Sequence, residues 1–368
     1  MGKNIFKNMD YGIIICTLIL IAIGLVALFS ATQNTNYVEF KKQIIWLCVS
    51  LPVMIAIIFV DYEVIAKVSP ILYIISIISL IGVLFTTPLN GATSWFNIGQ
   101  VSIQPSEFAK IIVIIALAYY MHKAQERGKE EISRPTILLK ALAIVLLPVL
   151  LIVKQPDYGT AIAFIIATIL ILFVSGIKKR YIIGGILLVI VAIPLLYFFV
   201  LPEHAKTRID VFLNPNLDPR GAGYNVTQSK LAIGAGEFLG MGVLKGNQTQ
   251  LGFLYPKATD FIFAVIGEEM GFVIGATVVI TYVILITRII YVAKTAKNSL
   301  GSYIAIGIAG IFLFHMVENI GMTIGLLPIT GVPLPFVSYG GSSLLTNLIM
   351  IALLLNISGR RQKAIFAE

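Results

Sequence analysis

The chain has 368 residues, of which 58% are hydrophobic and only 12% are charged, and its mean hydropathy is +0.94. Soluble domains carry about 25% charged residues, so this composition excludes a soluble globular protein and indicates an integral membrane protein. The net charge of +9 does not indicate a nucleic-acid partner, because the basic residues lie in short loops between apolar runs. Basic residues in such loops are typical signals of membrane topology.

Ten apolar runs are long enough to cross a hydrocarbon core of roughly 30 Å. An even number of spans puts both termini on the same side of the membrane. Most lysines and arginines of the short loops also fall on that side, which predicts cytoplasmic termini and an extracellular loop 202–259 between the seventh and eighth spans. The predicted fold is therefore an all-α polytopic membrane protein with a single domain over 1–368. The ten spans are 11–30, 43–60, 70–86, 106–121, 136–153, 159–175, 181–201, 261–287, 303–320 and 342–357.

Two outer connections are rich in glycine and proline or are broken by polar residues. Residues 321–341 hold five glycines and three prolines and cannot form a straight helix. Irregular backbone at membrane depth is tolerated only where protein or a water-filled cavity satisfies its polar groups. We therefore expect a re-entrant outer segment at 321–341 that lines a cavity. Residues 87–105 lack charge but are too broken to span, and we expect them to lie along the membrane surface.

The junction between the polar loop and the eighth span carries three acidic residues. Asp260 stands at the junction, and Glu268 and Glu269 follow inside the apolar run. An ionisable residue within a span indicates function by default. A helix N-cap is an equally good interpretation of Asp260. Glu268 lies about 12 Å deeper at about 1.5 Å per residue, so we interpret the two glutamates as structural or as shaping the cavity unless the helix breaks.

The predicted topology brings further polar groups to the same outer level. Glu107 and Lys110 open the fourth span, Asp157 lies in an outer turn and Arg208 lies early in the outer loop. Glu107 and Lys110 are three residues apart and can pair on one helix face, so a structural ion pair is at least as good an interpretation as a catalytic pair. Trp95 is either an interfacial anchor or a platform for a substrate.

Histidine and cysteine residues give no metal-site pattern. The two cysteines, Cys16 and Cys48, lie in apolar runs, and the three histidines are scattered along the chain. His315 and Glu318 are three residues apart and are expected to form a buried polar pair. We expect no tightly bound cofactor.

Four motifs in order resemble the SEDS family of bacterial shape, elongation, division and sporulation proteins. The stretches RIDVFLNP, GYNVTQSKLAIGAGE and NIGMTIGLLP are more similar to its elongation branch, RodA, than to its division branch, FtsW. The resemblance covers nearly the whole chain. The four motifs are Gln104–Lys110 (QPSEFAK), Asp157–Ala161 (DYGTA), Thr259–Ala264 (TDFIFA) with Gly267–Glu269, and Pro328–Ser343 (PITGVPLPFVSYGGSS).

This resemblance implies a peptidoglycan glycosyltransferase that polymerises lipid II on the outer face of the bacterial cytoplasmic membrane during elongation. It also implies a class B penicillin-binding protein as the crosslinking partner, together with other membrane proteins of the elongation complex. The essential aspartate of the family falls on Asp260, and its polar fourth-span residues fall on Glu107 and Lys110. Ser338 in the last motif joins the substrate-binding candidates. A divalent cation, Mg²⁺ or Mn²⁺, is compatible with this chemistry, with Asp260 as one ligand.

The chain departs from the family just before Asp260. Relatives carry Pro-Glu there, whereas here Pro256 is followed by Lys257. The neighbouring carboxylate is absent, which leaves a second metal ligand unsupported. We expect Lys257 to supply positive charge to the substrate instead.

One carboxylate suffices for the implied chemistry. Conversion of an α-linked diphosphate donor into a β-1,4 bond is a single displacement, and diphosphate leaves without protonation. Asp260 is then the general base for the acceptor hydroxyl, with Arg208, Lys110 or a divalent cation at the diphosphate. The alternatives are a lipid II flippase and a non-catalytic scaffold for the penicillin-binding protein. A flippase would place ionisable groups at the midplane and on both sides, whereas the candidates here crowd the outer edge.

Overall fold

A computed structural model describes residues 3–87, 93–99, 101–128, 130–200, 202–214, 217–219 and 221–361. Helices dominate this part of the chain, and a short hairpin joins the fourth helix to the fifth. The elements are α1 (Lys3–Asn8), α2 (Tyr11–Ala31), α3 (Val38–Phe59), α4 (Tyr62–Val83), β1 (Phe96–Ile98), β2 (Val101–Ile103), α5 (Pro105–Arg127), α6 (Pro135–Lys154), α7 (Tyr158–Val174), α8 (Lys179–Leu195), α9 (Glu203–Leu213), α10 (Ala222–Ala235), α11 (Asn247–Gln250), α12 (Ile262–Thr295), α13 (Ser299–Thr323) and α14 (Gly341–Gly359).

Seven helices among the described residues are long and apolar enough to cross a membrane: α2, α3, α4, α6, α12, α13 and α14. The predicted fourth, sixth and seventh spans coincide with α5, α7 and α8. However, α5 carries charged residues at both ends, and α7 and α8 have only 17 residues each. The count of ten spans and the cytoplasmic termini therefore stay predictions.

The hairpin is a small addition to the helical architecture that the apolar runs predict. Its strands β1 and β2 are antiparallel, and the pairs are Phe96 with Ile103, Asn97 with Ser102 and Ile98 with Val101. It occupies part of the stretch 87–105 that was expected to lie along the membrane surface. Residues 88–92 and 100 of that stretch lie outside the described residues. The hairpin leads directly into α5 and so fixes where the first turn of α5 begins.

Helix α13 packs closely against α12, α7 and α5, and α14 packs against α3. Small residues permit this approach: a Cβ on Gly307 would meet Ile114 of α5 and Ile171 of α7. Close backbone approach at small residues is the usual way in which membrane helices pack, because lipid gives them no hydrophobic driving force toward each other. The result is a tight core of helices with α13 at its centre.

Helix α12 is broken near its N-terminal end. Gly271 has φ +75° and ψ −175°, a conformation that is essentially restricted to glycine, and it separates Ile262–Met270 from Phe272–Thr295. The break exposes backbone groups that an intact helix would have paired within itself. The neighbouring segment 237–242 supplies partners, because Met241 N donates to Glu268 O (2.9 Å) and Phe272 N donates to Glu237 O (2.9 Å).

The long connection 202–259 is thus part of the fold rather than a loose loop. It contains α9, α10 and α11, and its stretch 236–242 lies against the break in α12. A Cβ on Gly236 would overlap the backbone of Gly267 and Glu268, so this contact requires glycine. The connection therefore holds the short first half of α12, which begins two residues after Asp260.

Candidate active site

A cavity of about 930 Å³ opens at the N-terminal end of α12. Its walls come from α3, the hairpin, the start of α5, the turn before α7, α9, and the segments around 255–260 and 330–343. The chain thus brings together stretches that are far apart in sequence. The cavity lining includes five of the eight side chains proposed from the sequence: Trp95, Glu107, Asp157, Arg208 and Asp260.

Asp260 is held by its backbone and not by its carboxyl. Helix α12 begins at Ile262, with Phe261 in the cap position and no side-chain cap, so Asp260 does not play the N-cap role. The Asn319 side-chain amide donates to the carbonyl oxygens of Asp260 (2.9 Å) and Val332 (2.8 Å). One buried asparagine therefore joins the Asp260 turn to the non-helical segment between α13 and α14.

Ser338 fixes the same turn from the other side. Its hydroxyl donates to Thr259 O (2.6 Å) and accepts from Leu334 N (2.9 Å). Tyr339 N also donates to Ala258 O (2.9 Å). Ser338 is buried and does not line the cavity, so its observed contacts are structural and not those of a substrate ligand.

The Asp260 carboxyl is half-buried at the cavity surface. Among the described residues, no ion pair includes it. Burial raises its pKa above the usual range, and this effect outweighs the hydrogen bond from Thr259 and the charge of Arg208, which both lower the pKa. A carboxylate with a raised pKa is a stronger base than an ordinary exposed aspartate.

Glu107 and Lys110 form the ion pair that their spacing allows, at 2.9 Å, and both are buried. Glu107 also accepts a hydrogen bond from Thr346 Oγ1 (3.1 Å). Lys110 Nζ lies 3.3 Å from His315 Nε2, and His315 Nδ1 lies 3.0 Å from Pro333 O. Because a carbonyl can only accept, we infer that the ring proton is on Nδ1 and that Nε2 accepts from Lys110.

Lys110 consequently does not line the large cavity, and this geometry does not support direct contact with a diphosphate. The expected pairing of His315 with Glu318 is also replaced by other contacts. His315 bonds to Lys110 and Pro333, whereas Glu318 Oε1 accepts from Thr330 Oγ1 (2.7 Å). Both residues tie α13 to the segment that lines the cavity.

Asp157 caps α7 and joins it to the start of α5. Its carboxyl accepts from Thr160 N (3.2 Å) and from Gln104 Nε2 (3.0 Å). Burial raises its pKa, and the cap hydrogen bonds oppose that change. Asp157 therefore lines the cavity with oxygens that already have donors.

Glu268 and Glu269 bind the backbone of the segment 244–250. Glu268 accepts from Gln248 N (2.7 Å), from Thr249 N (2.9 Å) and from Thr249 Oγ1 (2.6 Å). Glu269 accepts from the backbone amides of Leu244 and Gly246 and from the side chain of Gln250. These carboxylates act as structural anchors of the connection 202–259.

Lys257 takes part in the same anchoring. Its Nζ donates to Thr249 O (2.6 Å), and the side chain does not line the cavity. The positive charge expected at the substrate is thus directed toward the segment next to Glu268 instead. Sequence reasoning missed other lining residues, among them Lys42, Trp46, Tyr255 and Tyr339. The predicted second span began at residue 43, so Lys42 counted only as a loop charge.

The carboxylates of the cavity do not form a protein-built metal cage. Within the described ranges, no group of three or more histidine, cysteine, aspartate or glutamate residues could hold a metal ion. Magnesium is commonly held by one or two carboxylates together with phosphates of the substrate. Asp260 fits a cation of that shared kind.

The sequence matches the FtsW, RodA and SpoVE family, described as cell cycle proteins, over residues 11–363. It is 36% identical to the peptidoglycan glycosyltransferase MrdB of Escherichia coli K12, and the alignment covers 96% of this chain and 95% of that protein. The match spans nearly the full length of both proteins, so it includes every element of the cavity.

Two solved structures share the fold. A chain from a peptidoglycan synthase complex that coordinates polymerization and crosslinking superposes with a TM-score of 0.82 and 27% identity, covering 95% of this chain and 97% of that chain. The rod shape determining protein RodA of Thermus thermophilus superposes with a TM-score of 0.71 and 26% identity, covering 96% and 98%.

Proposed function

We propose that this chain, which belongs to the FtsW, RodA and SpoVE family, polymerises lipid II into β-1,4-linked glycan strands with Asp260 as the general base. It is a peptidoglycan glycosyltransferase, the activity that its relatives carry in their names. The observation that carries the residue assignment is that the Asp260 carboxyl faces a large cavity and takes part in no ion pair among the described residues.

The reaction is a single displacement at the anomeric carbon of the donor. The 4-hydroxyl of the acceptor sugar attacks that carbon, and its proton passes to Asp260. The bond from the anomeric carbon to the diphosphate oxygen breaks, and the electron pair leaves with the diphosphate. Because diphosphate is already a good leaving group, the site needs a base and positive charge but no general acid.

Burial supports this role of Asp260. The raised pKa makes the carboxylate a better proton acceptor, while the charge of Arg208 keeps the ionised form accessible. Positioned general bases contribute about 10²- to 10⁴-fold to the rate. A divalent cation, where one takes part, would be held by Asp260 and the substrate phosphates and would neutralise developing charge.

Topology and partners complete the proposal. The charge distribution of the loops supports cytoplasmic termini and a cavity that opens on the outer face of the cytoplasmic membrane. A class B penicillin-binding protein would crosslink the product, within a complex of other elongation membrane proteins. The similarity to a chain of a peptidoglycan synthase complex supports a partnership of this kind.

A polymerisation assay tests the proposal. Purified chain is incubated with labelled lipid II, with and without Mg²⁺ or Mn²⁺, alone and with a class B penicillin-binding protein. We expect glycan chains from the wild type and none from Asp260→Ala, which still inserts and folds. Leaflet exchange of lipid II without polymer would favour a flippase. The absence of both polymerisation and leaflet exchange would favour a scaffold.

A further inference from the structure

We propose that Lys42 holds the departing diphosphate of the lipid-linked donor, the role that sequence reasoning assigned in part to Lys110. The inference rests on the proposed function, since it names the cation that serves the same reaction. Lys42 lies near the start of α3, is half-buried and lines the cavity. Lys110 is buried in its ion pair with Glu107 and lies outside that lining.

Two basic side chains of the cavity are available to an anionic ligand. Of the cavity's three acidic residues, Glu107 is neutralised by Lys110, and Asp157 already accepts two hydrogen bonds. Asp260 remains for proton transfer. The basic residues that line the cavity are Lys42 and Arg208, and no ion pair in the described part of the chain includes either of them. Both side chains can therefore pair with the phosphates of a ligand.

The wall that carries Lys42 is fixed relative to Asp260. The next residue, Gln43, is buried, and its amide donates to Ser338 O (3.2 Å) and accepts from Gly340 N (3.2 Å). Ser338 in turn donates to Thr259 O (2.6 Å), one residue before Asp260. A short chain of hydrogen bonds thus sets the position of Lys42 with respect to the proposed base.

The two basic side chains of the cavity are carried by different elements. In a single displacement with inversion, the base and the leaving group lie on opposite faces of the anomeric carbon. Arg208 is near enough to Asp260 for its charge to lower the pKa of that carboxyl, so it lies on the side of the base. Arg208 is carried by α9, which packs on α10, whereas Lys42 is carried by α3, which packs on α14. The cavity can therefore offer one cation near the base and a second cation, Lys42, to the leaving group.

A lysine near the end of a membrane helix needs no binding role, because its aliphatic stem can pack on apolar surface while its amine reaches water. The chain offers a matched control for this explanation. Lys41 is the preceding residue, carries the same charge, is exposed and does not line the cavity. Lys42 differs from this control in its burial and in its place on the cavity wall.

The test measures binding of undecaprenyl diphosphate to purified full-length protein that carries Asp260→Asn, so that no polymerisation intervenes. A hydrogen bond to a charged group contributes about 1.5–3 kcal/mol, which corresponds to roughly tenfold or more in affinity. We expect Lys42→Gln to weaken binding by about that factor, Lys41→Gln to leave it unchanged and Lys42→Arg to restore most of it. Undecaprenyl monophosphate should bind more weakly to the parent protein and lose less affinity on Lys42→Gln.

Equal affinities of Lys42→Gln and Lys41→Gln would overturn the inference and leave Lys42 as an interfacial anchor. Thermal unfolding checks that each variant folds, and Lys42→Met, which keeps the apolar stem, replaces Lys42→Gln if the latter does not. Binding that depends on Lys42 in a chain that makes no glycan would support the diphosphate site while contradicting the proposed activity. If the wild type polymerises lipid II but binding does not depend on Lys42, the proposed activity is supported and the diphosphate site at Lys42 is contradicted.

Discussion

Asp260 and Glu268 stand eight residues apart at the same end of α12, yet their carboxylates have opposite surroundings. Glu268 is fully buried and accepts three hydrogen bonds from the segment 244–250. Asp260 faces the cavity, and no ion pair among the described residues includes it. A carboxylate whose lone pairs are filled by fixed donors stabilises the fold, whereas one that faces a cavity can exchange a proton.

The broken helix explains why both kinds of carboxylate occur so close together. The break at Gly271 leaves a short first half of α12 that must be held by other parts of the chain. Glu268 and Glu269 provide this anchorage through the connection 202–259. The anchored half-helix then presents Asp260 at its open end, so the two structural glutamates support the position of the proposed catalytic residue.

The largest expected effect is a loss of polymerisation activity on substitution of Asp260, which distinguishes this residue from the structural Glu268. Asp260→Asn should lower the polymerisation rate by about 10²- to 10⁴-fold, because it removes the base while keeping the shape. Glycan length and yield from labelled lipid II measure the loss. Polymer yield close to that of the wild type would contradict the assignment of Asp260.

The same variant should not lose stability. Since burial raises the pKa of Asp260 in the folded state, the folded protein disfavours the ionised form, and this carboxylate opposes folding once the pH exceeds its unfolded pKa. Asparagine removes that unfavourable charge. Thermal unfolding of Asp260→Asn at neutral pH is therefore expected at the wild-type temperature or slightly above it.

Gly271→Ala tests whether the break in α12 is required. Alanine strains the backbone at φ +75° and ψ −175°, on the order of 1–3 kcal/mol for the dihedrals alone, and its Cβ would overlap the backbone of Gly240. Thermal unfolding should show a clear loss of stability. Gly234→Ala is the matched control, because a Cβ there meets nothing within 4 Å. Equal stability of the two variants would show that an unbroken α12 is tolerated.

Glu268→Gln should affect stability more than activity per folded molecule. An amide in place of the carboxylate leaves one of the three donors from Gln248 and Thr249 poorly satisfied, which costs about 1–3 kcal/mol in a buried site. Thermal unfolding and polymerisation by the folded fraction measure the two effects. Glu203→Gln, at an exposed ion pair, is the control and should change neither. A variant that folds normally but makes no glycan would show that Glu268 serves the chemistry directly.

Local sequence pattern was sufficient for the features that depend on neighbouring residues. Apolar run length placed the helices close to their observed positions, and the spacing of Glu107 and Lys110 anticipated their ion pair. The polarity change at Asp260 marked a residue of the cavity wall. These features follow from helix geometry and from the cost of polar groups in lipid, which act within a few residues.

The remaining features depend on contacts between distant residues. Lys110 is turned away from the cavity by His315, which is 205 positions later, and Lys42 is placed on the cavity wall through Gln43 and Ser338, which are 295 positions apart. The break at Gly271 depends on the segment 237–242, because glycine permits the conformation but does not require it. No local pattern carries this information.

The smallest expected effect is a shift in the pH dependence of the polymerisation rate. It tests whether Asp260, the carboxylate that faces the cavity, is the group that titrates. If Asp260 is the base, the polymerisation rate should fall as the pH decreases through a pKa above that of an ordinary aspartate, about 3.9. Arg208 lowers this pKa, so Arg208→Gln should move the inflection to higher pH, whatever it does to the maximal rate. Lys206→Gln, which changes the same charge on the same helix at an ion pair with Glu203, should leave the inflection in place. The rate at saturating lipid II across the acidic and neutral range measures both positions. An inflection that stays fixed in Arg208→Gln would assign the titrating group to another residue, since Asp260 cannot lose a nearby positive charge and keep the same pKa.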